Sequence, residues 1–241
     1  MRGLVVFCAD VGSVKSGNFG WARSEAEGGS MADHDASRPA DLAEAVVHEL
    51  RSGRPVALGF ECPLFVPVPS LDTGFGAARP GEGNRAWSAG AGSGALTTGL
   101  VQMAWVLAAV RAHCPEERLH LEWQPFAANG QGLLVWEAFV SASAKGTSHV
   151  DDATIGVAAF SRALPDPRIA STMTAERPLS LVGAAAVWSG WLERSRPPVQ
   201  RTARHSRMIL GPALITHRGK GAIRRPAVRL SFTRTVGALA G

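Results

Sequence analysis

The chain has 241 residues, 46% of them apolar, which is enough to bury a sizeable core and excludes wholesale disorder. Its net charge of +5 divides unevenly: residues 1–193 carry all 20 acids against 14 Lys and Arg, and residues 194–241 carry 11 Lys and Arg with no acid. The high isoelectric point therefore belongs to the tail, and the acidic remainder is a poor electrostatic match for duplex DNA.

Residues 3–8 are too short for a signal peptide, and the apolar runs fall short of the ~18 residues of a membrane span, so no membrane partner is expected. Three widely spaced cysteines, Cys8, Cys62 and Cys114, suggest a reducing compartment and a cytoplasmic protein.

In chain order, residues 3–9 are β-branched and apolar and predict a buried central strand that ends at Asp10. Gly12, Ser13, Ser16, Gly17 and Asn18 make a turn, and Phe19–Ser24 returns as an antiparallel strand. A short third strand falls near residues 29–34. Leu42, Val46 and Leu50 share one face of a helix over 41–51. Pro55–Phe60 is a second buried strand, ending at Glu61, after which Pro63, Pro67 and Pro69 oppose regular structure. Residues 72–94 form a Gly-rich loop with Arg79, Arg85 and Trp87. A helix runs from Leu96 to His113 and stops at Cys114-Pro115. Leu133–Val140 reads as a strand carrying Glu137, and Ser141–Ser148 as a small-residue loop. Helices follow over 149–163, with Asp151 and Asp152 in the first turn, and over 179–192. The order, a hairpin and then alternation of helix and strand, predicts an α/β domain over residues 1–193. The basic segment 194–241 reads as a disordered extension, as out-of-frame coding from a GC-rich gene, or as a phosphate-binding arm.

In an open α/β sheet, functional groups collect beyond the carboxyl ends of the strands, where Asp10 and Glu61 both stand. Asp151 and Asp152 open a helix that can lie over the same edge. Carboxylates held a few ångströms apart repel, and Mg²⁺ or Mn²⁺ with oxygen ligands relieves the repulsion. Two such ions roughly 4 Å apart activate water and stabilise the leaving oxygen of a phosphodiester. Glu61, between Phe60 and Cys62-Pro63, is costly without a role.

The run Asp10-Val11-Gly12-Ser13-Val14-Lys15-Ser16-Gly17-Asn18-Phe19-Gly20-Trp21-Ala22 resembles the opening of the RuvC/YqgF-like branch of the RNase H superfamily. Phe60-Glu61-Cys62-Pro63 resembles its second acidic strand end, and His149-Val150-Asp151-Asp152-Ala153-Thr154 its third motif. Closer still, the chain is similar to a family of predicted RNase H-like nucleases of unknown function, matched by Glu137 and by Ser180-Leu181-Val182-Gly183 over about residues 3–192. The resemblance implies a three-layer RNase H-like fold, a mixed sheet with helices on both faces, and a basic C-terminal extension. It implies metal ligation by Asp10, Glu61 and Asp152, with Glu137 and Asp151 as further metal-ligand candidates and His149 as a fourth catalytic group. The implied activity is two-metal hydrolysis of DNA or RNA. Residues 195–241 match nothing expected of the family.

Lys15, Ser13 and Arg85 are candidates for binding substrate phosphate, and Trp87 for stacking on a base. Trp105, Trp123, Trp136, Trp188 and Trp191 are expected in the core. Two other functions compete with the nuclease. One is a non-enzymatic binding or scaffold module. The other is an actin-like ATPase or phosphotransferase, whose first phosphate loop Asp-x-Gly-Ser also resembles, although no second such loop or adenosine motif is found.

Overall fold

The computed structural model describes residues 2–25, 31–34, 37–80, 82, 86–140, 145–171, 178–193 and 228–231. Strand β1 (Val5–Asp10) is buried along its whole length, as a run of apolar residues on both faces requires. It pairs antiparallel with β2 (Gly20–Glu25), which pairs antiparallel with β3 (Met31–His34). On its other side β1 runs parallel to β4 (Val56–Glu61), and β4 runs parallel to β7 (Leu133–Val140). The sheet order is therefore β3-β2-β1-β4-β7. The far edge of β7 is shared by β6 (Leu119–His120), parallel to its start, and β9 (Val228–Ser231), antiparallel to its end. The expected α/β class and mixed sheet are present.

Strand alternation divides the core in two. Val5, Phe7 and Ala9 of β1 face α1 (Pro39–Arg51), α2 (Gly90–His113) and α5 (Leu181–Trp188), where Leu42, Val46, Met103, Val106 and Val182 are buried. Leu4, Val6 and Cys8 face α3 (Trp123–Asn129) and α4 (His149–Arg162), where Phe126, Val157 and Phe160 are buried. The Trp136 and Phe160 rings, with centroids 4.8 Å apart, hold α4 onto β7. Each such aromatic contact is worth roughly 0.5–1.5 kcal/mol beyond the area it buries.

Several expectations need correction. Phe65–Pro67, in the Pro-rich stretch, forms a short strand β5 that pairs antiparallel with β8 (Pro178–Ser180). This two-stranded edge ribbon tolerates prolines that a central strand would not. Helix α2 starts at Gly90, six residues early, because Gly92 lets its first turn close on the Ala86 carbonyl, which a Cβ would meet at 2.2 Å. At 24 residues α2 is long and apolar enough to cross a membrane, contrary to the expectation for this chain, but its buried Met103, Val106, Leu107 and Val110 pack in the core beside α1 and α5. Trp123, Trp136 and Trp191 are buried as expected, whereas Trp105 and Trp188 stand 48% and 66% exposed. The last helix is shorter than expected: Ser180 caps its start, its hydroxyl accepting from Gly183 N at 3.1 Å, and it ends at Trp188, just before Gly190 turns left-handed at φ 79°. Of the basic segment 194–241, Val228–Ser231 adds a strand to the sheet, and the rest lies outside the described residues.

Candidate metal centre

Asp10 is the last residue of β1 and Glu61 the last of β4, and the parallel register sets them side by side. Side chains alternate along a strand, so Asp10 follows the parity of Val6 and Cys8 and lies on the α4 face. Glu61 shares that face with Ala57. Asp152, in the first turn of α4, completes the group: Asp10, Glu61 and Asp152 each offer an oxygen, and these oxygens lie within 4.8 Å of one another. All three residues are nine-tenths buried or more.

Two close approaches bring α4 to this edge. Its first turn passes over Gly20, where a Cβ would lie 2.7 Å from the His149 carbonyl carbon and the Val150 nitrogen. One turn beyond Asp152, Gly156 sits on Cys8, whose Sγ would be 2.7 Å from an added Cβ. The helix starts where Ser148 accepts a hydrogen bond from Asp151 N at 3.1 Å.

His149 lies over Asp10, and its Nδ1 is 2.5 Å from Asp10 Oδ2. Lys145 reaches into the cluster from the loop before α4, with Nζ 2.8 Å from Asp152 Oδ2 and 3.3 Å from Glu61 Oε1. Gly146 N donates to Asp152 Oδ1 at 2.6 Å. Both Asp152 oxygens are thus engaged, whereas Glu61 Oε2 is buried and accepts no hydrogen bond.

Burial dominates the electrostatics. It pushes the Glu61 carboxyl up to about 8, with the Asp10 charge adding to the effect and Lys145 opposing it. It also raises the Asp10 carboxyl, against the hydrogen bond from His149 and the charge of Lys145. For Lys145, burial acts downward but is outweighed by the Asp152 hydrogen bond and the Glu61 and Asp10 charges, so its ammonium is held above the ordinary lysine value. The site lacks cationic charge: one ammonium faces three carboxylates.

The donor set fits a hard divalent cation. It consists of carboxylate oxygens with an imidazole at the rim, and the buried, unpartnered Glu61 Oε2 needs a proton or a cation.

The structure does not bring the other two metal candidates to this point. Glu137 has the opposite strand parity, with Leu133 and Val135, and lies on the α1–α2 face. It is fully buried there, accepting from Leu64 N at 2.8 Å and Phe65 N at 3.0 Å and pairing with Arg79 at 2.8 Å. Glu82 holds Arg79 in turn, which pins the Gly-rich loop to the sheet. Asp151 turns outward and accepts from Thr147 N at 3.0 Å and Thr147 Oγ1, which is a capping role.

Among the substrate candidates, Ser13 spends its hydroxyl on the turn after β1, bonding Ser16 Oγ at 3.1 Å. Lys15 is exposed in the same turn, beyond Asp10. Arg85 lies outside the described residues. Trp87 donates from Nε1 to the Ala77 carbonyl at 3.0 Å and so closes its own loop.

Lys145 and Gly146 are the participants that sequence reading missed. The available signal was a lone basic residue in a small-residue loop directly ahead of an acidic helix start.

The fold and site together define an α/β domain with a carboxylate cluster at the carboxyl edge of its parallel strands. No family model matches the chain, and neither the curated proteins nor the solved structures give a match.

Proposed function

We propose that the protein is a Mg²⁺- or Mn²⁺-dependent nuclease that hydrolyses phosphodiester bonds of DNA or RNA on an RNase H-like fold. The fold reading is supported by the β3-β2-β1-β4-β7 order, with its antiparallel start and parallel continuation. It is also supported by helices on both faces and by acids at the ends of β1 and β4. The observation that carries the function is the convergence of Asp10, Glu61 and Asp152 within 4.8 Å around a buried carboxylate oxygen with no partner.

Asp10, Glu61 and Asp152 would hold the metal, which when bound supplies positive charge to a phosphate oxygen and lowers the pKa of water. Glu61 keeps its proton until a cation arrives, because burial raises its carboxyl. His149 fixes the Asp10 carboxylate through Nδ1 and leaves part of its ring toward solvent, where it can exchange a proton with the reacting centre. Lys15, on the turn beyond Asp10, is free to meet a phosphate among the described residues. Three free, buried cysteines agree with a cytoplasmic setting.

The test is cleavage of single-stranded, duplex and branched DNA and RNA with Mg²⁺ or Mn²⁺. Activity that Asp10→Asn abolishes supports the reading, and no cleavage of any substrate refutes it.

A second reading, a non-enzymatic module that keeps the fold, is favoured by Lys145, whose ammonium already neutralises part of the cluster. It predicts no Mn²⁺ affinity at Asp10, which calorimetry measures.

A further inference from the structure

We infer that Lys145 takes the place of one of the two cations, so that the cluster accepts a single divalent ion beside a fixed ammonium. The inference rests on the metal-site reading above; it reduces the two ions that the family resemblance implies to one, which Asp10 and Glu61 would hold directly while Asp152 holds the ammonium beside it.

The acceptor inventory carries it. Three ionised carboxylates present six oxygens. Asp152 Oδ2 is taken by Lys145 at 2.8 Å and Asp152 Oδ1 by Gly146 N at 2.6 Å. Glu61 Oε1 faces the same ammonium at 3.3 Å, and Asp10 Oδ2 faces His149 Nδ1 at 2.5 Å. Two oxygens have no hydrogen-bond partner among the described residues, Asp10 Oδ1 and Glu61 Oε2, and the latter is buried. They come from cross-strand neighbours at the ends of β1 and β4. One or two carboxylates plus waters is an ordinary protein ligand set for Mg²⁺. Divided between two ions, it would leave each a single open carboxylate oxygen.

Position and charge agree with this assignment. Two-metal sites need a cation on each side of a shared carboxylate, about 3.5–4 Å apart. The ammonium bridges Asp152 and Glu61 and so already fills a cation position between two of the three carboxylates. A lysine is a compact point charge with three donors, suited to bridging two carboxylates. Its charge is secured by the carboxylates around it, and its side chain, 39% exposed, stands at the end of a loop held by the Gly146 and Thr147 hydrogen bonds. A second divalent ion would have to displace it or sit against it. The count also fits the charge balance: one ammonium and one divalent ion neutralise three carboxylates, whereas two divalent ions added to Lys145 would leave a net positive site.

The experiment counts ions on the intact chain. Mn²⁺ binding is measured by calorimetry and electron paramagnetic resonance for the wild type, Lys145→Met, Lys145→Gln and Lys145→Arg. Lys145→Met keeps the aliphatic stem, Lys145→Gln keeps hydrogen bonding without charge, and thermal melts check that each variant folds. The expected result is one Mn²⁺ per chain for the wild type and Lys145→Arg. Lys145→Met and Lys145→Gln should bind two, with the spin–spin coupling that marks ions about 4 Å apart. Two coupled ions in the wild type overturn the inference, as does one ion in both neutral variants, and either result leaves the metal site standing. If neither the wild type nor any variant binds Mn²⁺, the metal reading itself fails and the inference falls with it.

Discussion

Asp10 and Glu61 are direct cross-strand partners, held by the β1–β4 register at one end of the sheet and buried under α4. Two carboxyls so placed cannot both ionise cheaply, and burial raises both, Glu61 to about 8. An acid whose folded pKa exceeds its unfolded value holds its proton longer in the folded state. Its stabilising effect is therefore present below the unfolded value and is lost as pH rises to the folded one. Without divalent ions, melting temperature should fall between about pH 4.5 and pH 8. Glu61→Gln should flatten most of that slope, and Mg²⁺ should restore stability at the alkaline end by binding only the folded state. Melts at several pH values, with chelator and with Mg²⁺, check this. A flat profile in chelator would contradict it.

His149 should matter through Asp10. Its Nδ1 hydrogen bond is the only one the Asp10 carboxylate makes among the described residues, and it fixes which Asp10 oxygen stays open. Removing such a partner of a metal ligand costs about 10–100-fold in affinity. Titration of His149→Ala with Mn²⁺ should show a loss in that range with the fold intact. Unchanged affinity would make His149 a surface residue with no part in the site.

Gly20 shows why the sequence Gly20-Trp21-Ala22 stands where it does. A Cβ at Gly20 would overlap backbone atoms of His149 and Val150, and backbone cannot swing aside as a side-chain tip can. Gly20→Ala should lift the start of α4, cost about 1–3 kcal/mol in a urea melt and weaken Mn²⁺ binding. Gly94→Ala, within α2 and with open space at its Cβ, is the control and should gain up to about 1 kcal/mol.

Much of this site was legible in the sequence, and the reasons are physical. Asp10 and Glu61 each end an apolar run, and a fully buried parallel strand must finish at the sheet edge where functional groups gather. Asp152 was legible as a helix-start acid, although the choice between it and Asp151 needed the helix phase, which turns Asp151 outward to Thr147. Glu137 misled because it too ends a strand segment beside β4. Strand parity decides its face, and parity depends on register: it pairs with Phe60, one residue short of Glu61. Lys145 was missed because a loop residue has no periodicity to reveal where its side chain goes, and its place ahead of an acidic helix start was the one cue. The ribbon of β5 and β8 was missed for a related reason: two three-residue strands, more than a hundred residues apart in sequence and marked by prolines, carry no local signal of each other.

Glu137 yields the last prediction, which separates a structural acid from a catalytic one. Its carboxyl is fully buried, and burial raises it even though Arg79 and the Leu64 and Phe65 amides pull it down. Arg79 is itself buried between Glu137 and Glu82 and donates to the Phe65 carbonyl at 2.8 Å. Removing one member of a buried ion pair strands the other charge, at a typical cost of about 3–5 kcal/mol. Arg79→Met should therefore lower urea-melt stability by that order. Arg79→Met combined with Glu137→Gln should recover part of the loss, because only Glu82 is then left without its guanidinium, still accepting from the backbone amides of residue 79 and Trp87, and the residue-137 amide oxygen still accepts from Leu64 N and Phe65 N. The double variant should bind Mn²⁺ as tightly as the wild type, since Glu137 lies on the sheet face away from Asp10, Glu61 and Asp152. If it folds normally yet loses Mn²⁺ affinity, Glu137 belongs to the metal centre and the parity argument for its exclusion is wrong.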